Sequence, residues 1–324
     1  MAVTIAISNQ KGGVGKTTTA MHLASALTLA GNRTLLIDLD SQANATTGLG
    51  VAEATDDRPG SYQAIAGDSA ASIEWCAESI LKGLFVLPAS LHLAGVDLEI
   101  GDAPDAVDRL KRTISALGDH FDWIVLDCPP SLGVLSVNAL AAADGVLTPL
   151  PPERFAIDGL QRLEATMRRL RETGRITVPD PTIMLTRTQP WSEGHIQRSI
   201  ALRNDAGERV LVAEAPLSPG LETACDHRRP IYMETPDSAG GDAYLAAAAE
   251  MMLQRTGLGF GATEVMEQVG AMKAEIARRY PRPDSPDTPR QYLMPRRPSW
   301  ISRQIAGFRQ RKAPTLQSDS ASEA

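Results

Sequence analysis

Aromatic residues are scarce in this 324-residue chain, where Phe, Trp and Tyr together make up 4%. A core with so few rings must be built from Ala, Leu, Val and Ile, which suits helices packed on a parallel sheet. Cysteine is also sparse. Cys76, Cys128 and Cys225 stand far apart, with no CxxC pair and no disulfide framework, so a reducing cytoplasm is the expected compartment. No stretch reaches the roughly 18 uninterrupted apolar residues of a membrane-spanning helix. The opening MAVTIAISNQ lacks the basic n-region of a secretory signal. No internal repeat is visible.

Net positive charge is missing too. The formal charge is −7, and it is unevenly spread. Residues 261–324 hold eleven Lys/Arg against seven Asp/Glu, whereas residues 1–260 hold 21 against 32. An acidic body with a basic tail does not bind polyanions over its whole surface, so any such contact must be local.

What is present is an alternation of short apolar runs and amphipathic stretches. Strands are expected at 3–8, 34–39, 84–87, 123–127, 145–150, 182–186 and 209–213. Helices are expected at 16–30, 104–117, 157–172 and 243–255, with loops and short helices over 41–83. This order specifies an α/β fold of the P-loop NTPase kind, a mainly parallel twisted sheet with helices on both faces. GLGFG at 257–261 is a natural boundary. It divides a body at 1–260 from a helix at 261–280 and a Pro/Arg-rich tail at 281–324.

The sharpest local signal is Ser8-Asn9-Gln10-Lys11-Gly12-Gly13-Val14-Gly15-Lys16-Thr17-Thr18. It follows a strand and opens a helix, the context a phosphate loop requires. Gly12, Gly13 and Gly15, with Val14 between them, let backbone N–H groups approach phosphate oxygens. The helix start at Lys16, Thr17 and Thr18 adds its dipole. Lys16 supplies charge to the β- and γ-phosphates, and the Thr17 hydroxyl is placed to ligate Mg²⁺. Gln10 replaces the first glycine of the ordinary pattern and Lys11 is an added lysine, so KGGVGKT is the deviant form of this motif.

Two further carboxylate runs end buried strands. LLIDLD places Asp38 and Asp40 at the strand edge where ligands sit in open α/β sheets, and a carboxylate there can orient an attacking water or a Mg²⁺-bound one. WIVLDCPP puts Asp127 after four apolar residues, where it would hold Mg²⁺ through water. Cys128 has no local His and reads as a small buried residue rather than a nucleophile.

Together the blocks NQKGGVGKTTTAMHLASALTLAG, LLIDLDSQANATTGLG and FDWIVLDCPPSLGVLSVNALAAAD, with the weaker RRPIYMETPDSAGGDAYLAAAAEM, resemble the ParA/Soj/MinD division of deviant P-loop ATPases, and ParA/Soj most closely. The resemblance covers about 1–256. It implies a slow, partner-stimulated ATPase using ATP and Mg²⁺, and a homodimer closed around nucleotide. Lys11 would cross the interface to the partner's phosphates, Lys16 and Thr17 would serve in cis, and Asp40 would be needed for hydrolysis. Pro216 and Pro236 are expected among the nucleotide-binding residues. The family's partners are a ParB-like activator with a basic peptide and nonspecific DNA, hence the nucleoid. In the MinD branch the partner is a membrane.

The sequence departs from the family at its DNA-binding arginines. Leu217 and Gly220 occupy two of those positions, and Thr186-Arg187-Thr188 replaces the usual Asp and Arg after the preceding strand. Arg187, Arg198, Arg203, Arg228 and Arg229 are the replacement candidates for DNA. No helix-turn-helix segment precedes the loop, which disfavours operator-specific repression. The tail at 281–324 is expected to be largely disordered, and within it residues 299–312 could form a basic amphipathic helix for a membrane surface, for DNA or for a partner, could pack on the body, or could stay disordered. Partition or cargo positioning is therefore the leading expectation, and a MinD-like membrane-cycling regulator the alternative. A metal-cluster reductase is the third class. It would need bridging cysteines, for which Cys128 and Cys225 are poorly spaced.

Overall fold

The computed structural model describes residues 2–67, 71–257 and 259–280. The expected tail helix at 299–312 lies outside the described residues.

Eight strands form one sheet: β1 (Val3–Ile7), β2 (Thr34–Asp38), β3 (Ala77–Glu78), β4 (Leu84–Leu87), β5 (Trp123–Asp127), β6 (Gly145–Leu150), β7 (Thr182–Thr188) and β8 (Val210–Pro216). Their order is β3-β4-β2-β5-β1-β6-β7-β8, and every pair is parallel except β3 with β4. The helices are α1 (Lys16–Leu29), α2 (Asn44–Gly48), α3 (Ser61–Ala66), α4 (Val96–Ile100), α5 (Arg109–Leu117), α6 (Val134–Ala142), α7 (Arg154–Glu172), α8 (Glu193–Ala206), α9 (Pro219–Asp226), α10 (Ile231–Glu234), α11 (Ala239–Arg255) and α12 (Ala262–Arg279).

Strand alternation sorts the core into two layers. Ile5, Ile7, Leu36 and Val125 face α1, α11 and α12, while Ala6, Leu35, Ile37, Ile124 and Leu126 face α3 to α6. Helix α12 sends Val265, Val269, Met272 and Ile276 into the first layer. Both faces of β2 and β5 are buried, which accounts for their unbroken apolar sequences.

The register aligns the strand ends that matter. Ile7 pairs with Asp127, and Asp38 pairs with Asp127 from the other side. The start of the loop and two carboxylates thus meet at one edge. At the far margin, β8 leaves main-chain groups without a neighbouring strand, and side chains cover them. Glu250 of α11 accepts from the amides of Val212 and Ala213, at 3.0 and 3.3 Å. Arg203 of α8 donates to the carbonyls of Leu211 and Val212 and pairs with Glu214.

Candidate nucleotide site

The loop between β1 and α1 is held open by its surroundings. Asn9 is buried. Its amide donates to the Pro149 carbonyl at 2.9 Å, and its Oδ1 accepts from the Lys11 amide at 3.0 Å. Val14 is buried beneath the loop, and its carbonyl accepts from the Thr186 hydroxyl at 2.9 Å. Gly13 and Gly15 adopt φ of 73° and 91°, left-handed values that a side chain would strain. A Cβ on Gly12, Gly13 or Gly15 would meet nothing within 4 Å, so the concave side is an open cradle. It lies at the positive end of α1.

Lys16 is 7% exposed and its Nζ donates to the Lys11 carbonyl at 3.2 Å, which folds the side chain back over the loop. Burial pushes its pKa down, and the nearby Asp127 carboxylate opposes that. Lys11 behaves differently. It turns outward and pairs with Glu153, at the start of α7, at 3.0 Å.

The carboxylates divide into three roles. Asp38 is tied: Oδ2 accepts from the Thr46 amide at 2.9 Å and hydroxyl at 2.7 Å, and Oδ1 accepts from the Asp40 amide at 3.1 Å. Burial lifts its pKa to about 6. Asp127 is fully buried, and neither oxygen makes a hydrogen bond of good geometry among the described residues. Burial and then the Asp38 charge raise its pKa well above the carboxylate range. The Thr17 hydroxyl lies close enough to favour its ionised form. Asp40 lies two residues past the strand end and lines the open cavity.

That cavity measures about 340 Å³, within the size range of small-molecule sites. Gly12, Gly13, Gly15, Lys16, Thr17 and Thr18 form one wall, with Pro216 and Leu217 among the residues completing it. Pro236, expected at the same ligand, does not line it; it borders a separate hollow of about 150 Å³ with Lys273 and Tyr280 of the α12 end. The α10–α11 turn carries Pro236 towards α12, away from the loop.

Residues 2–178 match the family model described as an AAA domain. The sporulation initiation inhibitor protein Soj of Bacillus subtilis is 36% identical over 251 residues, which are 78% of this chain and 98% of that protein. The chromosome partitioning protein ParA of Caulobacter vibrioides is 37% identical over 250 residues, 76% of this chain and 93% of its own length. The chain belongs to the ParA/Soj family. Among solved structures, a cobyrinic acid a,c-diamide synthase from Mycobacterium smegmatis with bound ADP and magnesium superposes with a TM-score of 0.66, at 31% identity over 79% of this chain and 97% of that one.

The residues fit the group that the ParA/Soj fold implies. Asp127, buried and with no hydrogen bond of good geometry among the described residues, offers acceptor oxygens that suit the water ligands of a cation. Thr17 stands on the loop to join it. No cluster of three or more His, Cys, Asp or Glu able to hold a metal occurs among the described residues, and a Mg²⁺ ion bound with a triphosphate takes much of its coordination from phosphate oxygens and water.

The five arginines proposed for DNA do not form one patch of unengaged cations. Arg203 is committed to the β8 margin, where it meets two carbonyls and Glu214. Arg198 donates to the Pro152 carbonyl at 2.6 Å. Arg229 pairs with Glu234 at 3.1 Å. Arg187 lines the nucleotide cavity. Arg228 is exposed in the turn after α9, at φ 57°. The sequence reasoning also missed a buried support. His22 of α1 stacks on Tyr244 at 5.5 Å, and Tyr244, which lines the cavity, reaches the Thr19 hydroxyl at 3.1 Å.

Proposed function

We propose that this chain is a Mg²⁺-dependent ATPase of the partition type, which closes as a homodimer around ATP and moves DNA or another large cargo. The observation that carries this reading is the split between the two lysines. Lys16 is folded over its own loop, whereas Lys11 lies outside the cavity that the loop lines, on the surface, balanced by a single carboxylate. A surface lysine beside a phosphate cradle is placed to reach the phosphates of a facing copy. Fold likeness alone would not choose this activity, since the relatives above carry different ones.

Within the site, Lys16 and the loop amides bind and orient the triphosphate. Thr17 and Asp127 would hold Mg²⁺, which would supply charge neutralisation on the phosphates. Asp40, reachable from the cavity, positions the attacking water. A ParB-like partner with a basic peptide would accelerate turnover.

Light scattering of Asp40→Ala with ATP and Mg²⁺ tests the dimer. Twice the monomer mass is expected with ATP and a monomer with ADP. A monomer in both, or a dimer unaffected by adding Lys11→Ala, would count decisively against the reading.

A pH effect accompanies it. Burial raises the carboxyls of both Asp38 and Asp127, so the pair holds a proton to higher pH than carboxylates in water do. Loading Mg²⁺·ATP favours the ionised pair, so a proton is released and affinity rises with pH through this window. Calorimetry at pH 6 in two buffers of different ionisation enthalpy should report release of up to about one proton, absent in Asp127→Asn.

A further inference from the structure

We propose that Arg187 is a nucleotide-contacting residue of this site, its guanidinium taking an oxygen of the polyphosphate beside Lys16. The inference rests on the nucleotide reading above and adds a cation to it.

Consecutive residues at the end of β7 grip consecutive carbonyls of the loop. The Thr186 hydroxyl donates to Val14, and Nη1 of Arg187 donates to Gly13 at 3.4 Å. The second bond is long and uses one of the five N–H groups of the guanidinium. The others stay available in the cavity that Arg187 lines with Lys16 and Thr17. A phosphate oxygen is a much stronger acceptor for that fork than a carbonyl at the limit of hydrogen-bond distance.

The backbone points the same way. Arg187 sits at φ 51°, one of three residues other than glycine with positive φ among those described. Such a conformation is strained for an L residue, and strain of this kind gathers where a side chain must be aimed. The surroundings are also electrostatically poised. Glu153 is held below the usual carboxylate range, first by the Lys11 hydrogen bond and further by the charges of Lys11 and Arg187. Glu153 thus feels both cations at the rim of the cradle, whose cavity Asp40 and Glu222 also line. Arg187 is exposed, but a surface cation for DNA would need neither the loop contact nor a place in the cavity lining.

The test uses the full chain and its Arg187→Gly and Arg187→Lys variants. Glycine suits the left-handed backbone, so Arg187→Gly removes the guanidinium while relieving strain, and its thermal midpoint should equal or exceed the parent's. Calorimetry with Mg²⁺·ATP, and competition with inorganic tripolyphosphate, read the contact. Arg187→Gly should weaken both by at least about tenfold, with Arg187→Lys recovering part. DNA binding by the nucleotide-free protein should be unchanged. Unaltered ATP affinity would overturn the inference. So would a loss with ATP but not with tripolyphosphate, which would put the side chain on the nucleoside, or a loss accompanied by a lower midpoint, which would make it scaffold. A parent chain that binds no ATP would instead sink the ATPase reading itself.

Discussion

Lys16→Ala should lower Mg²⁺·ATP affinity by two to three orders of magnitude, about 3–4 kcal/mol, while leaving the fold intact. The size follows from placement. Lys16 is the first residue of α1 and is nearly buried, so its charge acts at short range and with little screening. Its only side-chain hydrogen bond among the described residues is to the Lys11 carbonyl, and the buried Asp127, which loses a favourable neighbouring charge, is already pushed by burial towards its protonated form. Removing a cation that is already partly desolvated also relieves a burial penalty, which keeps the thermal midpoint within a few degrees, on the order of 1 kcal/mol. Arginine should not rescue binding, because a planar fork does not replace a compact ammonium in this space. Calorimetry measures the loss directly, and a fall of less than about tenfold would mean that the cradle holds something other than phosphate.

His22→Ala should cost about 3–5 kcal/mol of unfolding free energy. The ring is fully buried. Its Nδ1–H donates to the Thr18 carbonyl at 2.7 Å, and its Nε2 accepts the Ile231 amide at 3.2 Å, which fixes one neutral tautomer. The Tyr232 hydroxyl adds a bond to the His22 carbonyl at 3.1 Å. Truncation opens a hollow between α1 and α10 and orphans the Ile231 amide, while the Thr18 carbonyl keeps its helical bond within α1.

The loss should shrink in acid. Burial holds the His22 pKa down to about 4, below its ordinary 6.5. A lowered pKa means that the unfolded chain takes the proton first. The stabilisation from His22 is therefore complete above pH 6.5 and fades as pH falls towards 4, a change on the order of 3 kcal/mol. Asp38 works in the opposite sense. Its folded value of about 6 exceeds its ordinary 3.8, so it adds stability as pH falls below 6. The parent should then be nearly flat from pH 6.5 to 4.5 with respect to these two groups, and the variant should gain ground. Urea titrations at pH 7 and pH 4.5 would show the gap between them narrowing. A gap of constant width would mean that His22 is not held neutral.

Much of the scaffold could be read from the chain because its inner strands are buried on both faces. TLLID and WIVLD have no polar interruption until the final aspartate, and the loop between β1 and α1 carries its own glycines. Helix α6 escaped notice for the same reason: VLSVNALAA has little contrast between its faces, so periodicity is faint. Strand β3 has only two residues and offers no pattern at all.

In the site, Asp38 and Asp40 lie two residues apart on one face, and alternation cannot separate them. The difference comes from Thr46, eight residues on, whose amide and hydroxyl claim Asp38 and leave Asp40 for the cavity. The arginines show the same limit. Arg203 and Arg187 look alike as letters, and one is spent on a strand margin while the other faces the phosphate cradle. Nothing local marks His22 as a bridge to residue 231, because that contact exists only once α1 and α10 have packed.

The covering of β8 by Glu250 and Arg203 has a bearing on how copies of this chain can associate. A sheet with a bare flank invites edge-to-edge growth into open-ended fibres, a route with no stopping point. Here the amides of Val212 and Ala213 and the carbonyls of Leu211 and Val212 on that flank are already occupied. The two-fold pair proposed above, meeting through the cradle ends, would be self-limiting and could be undone each time the nucleotide is spent.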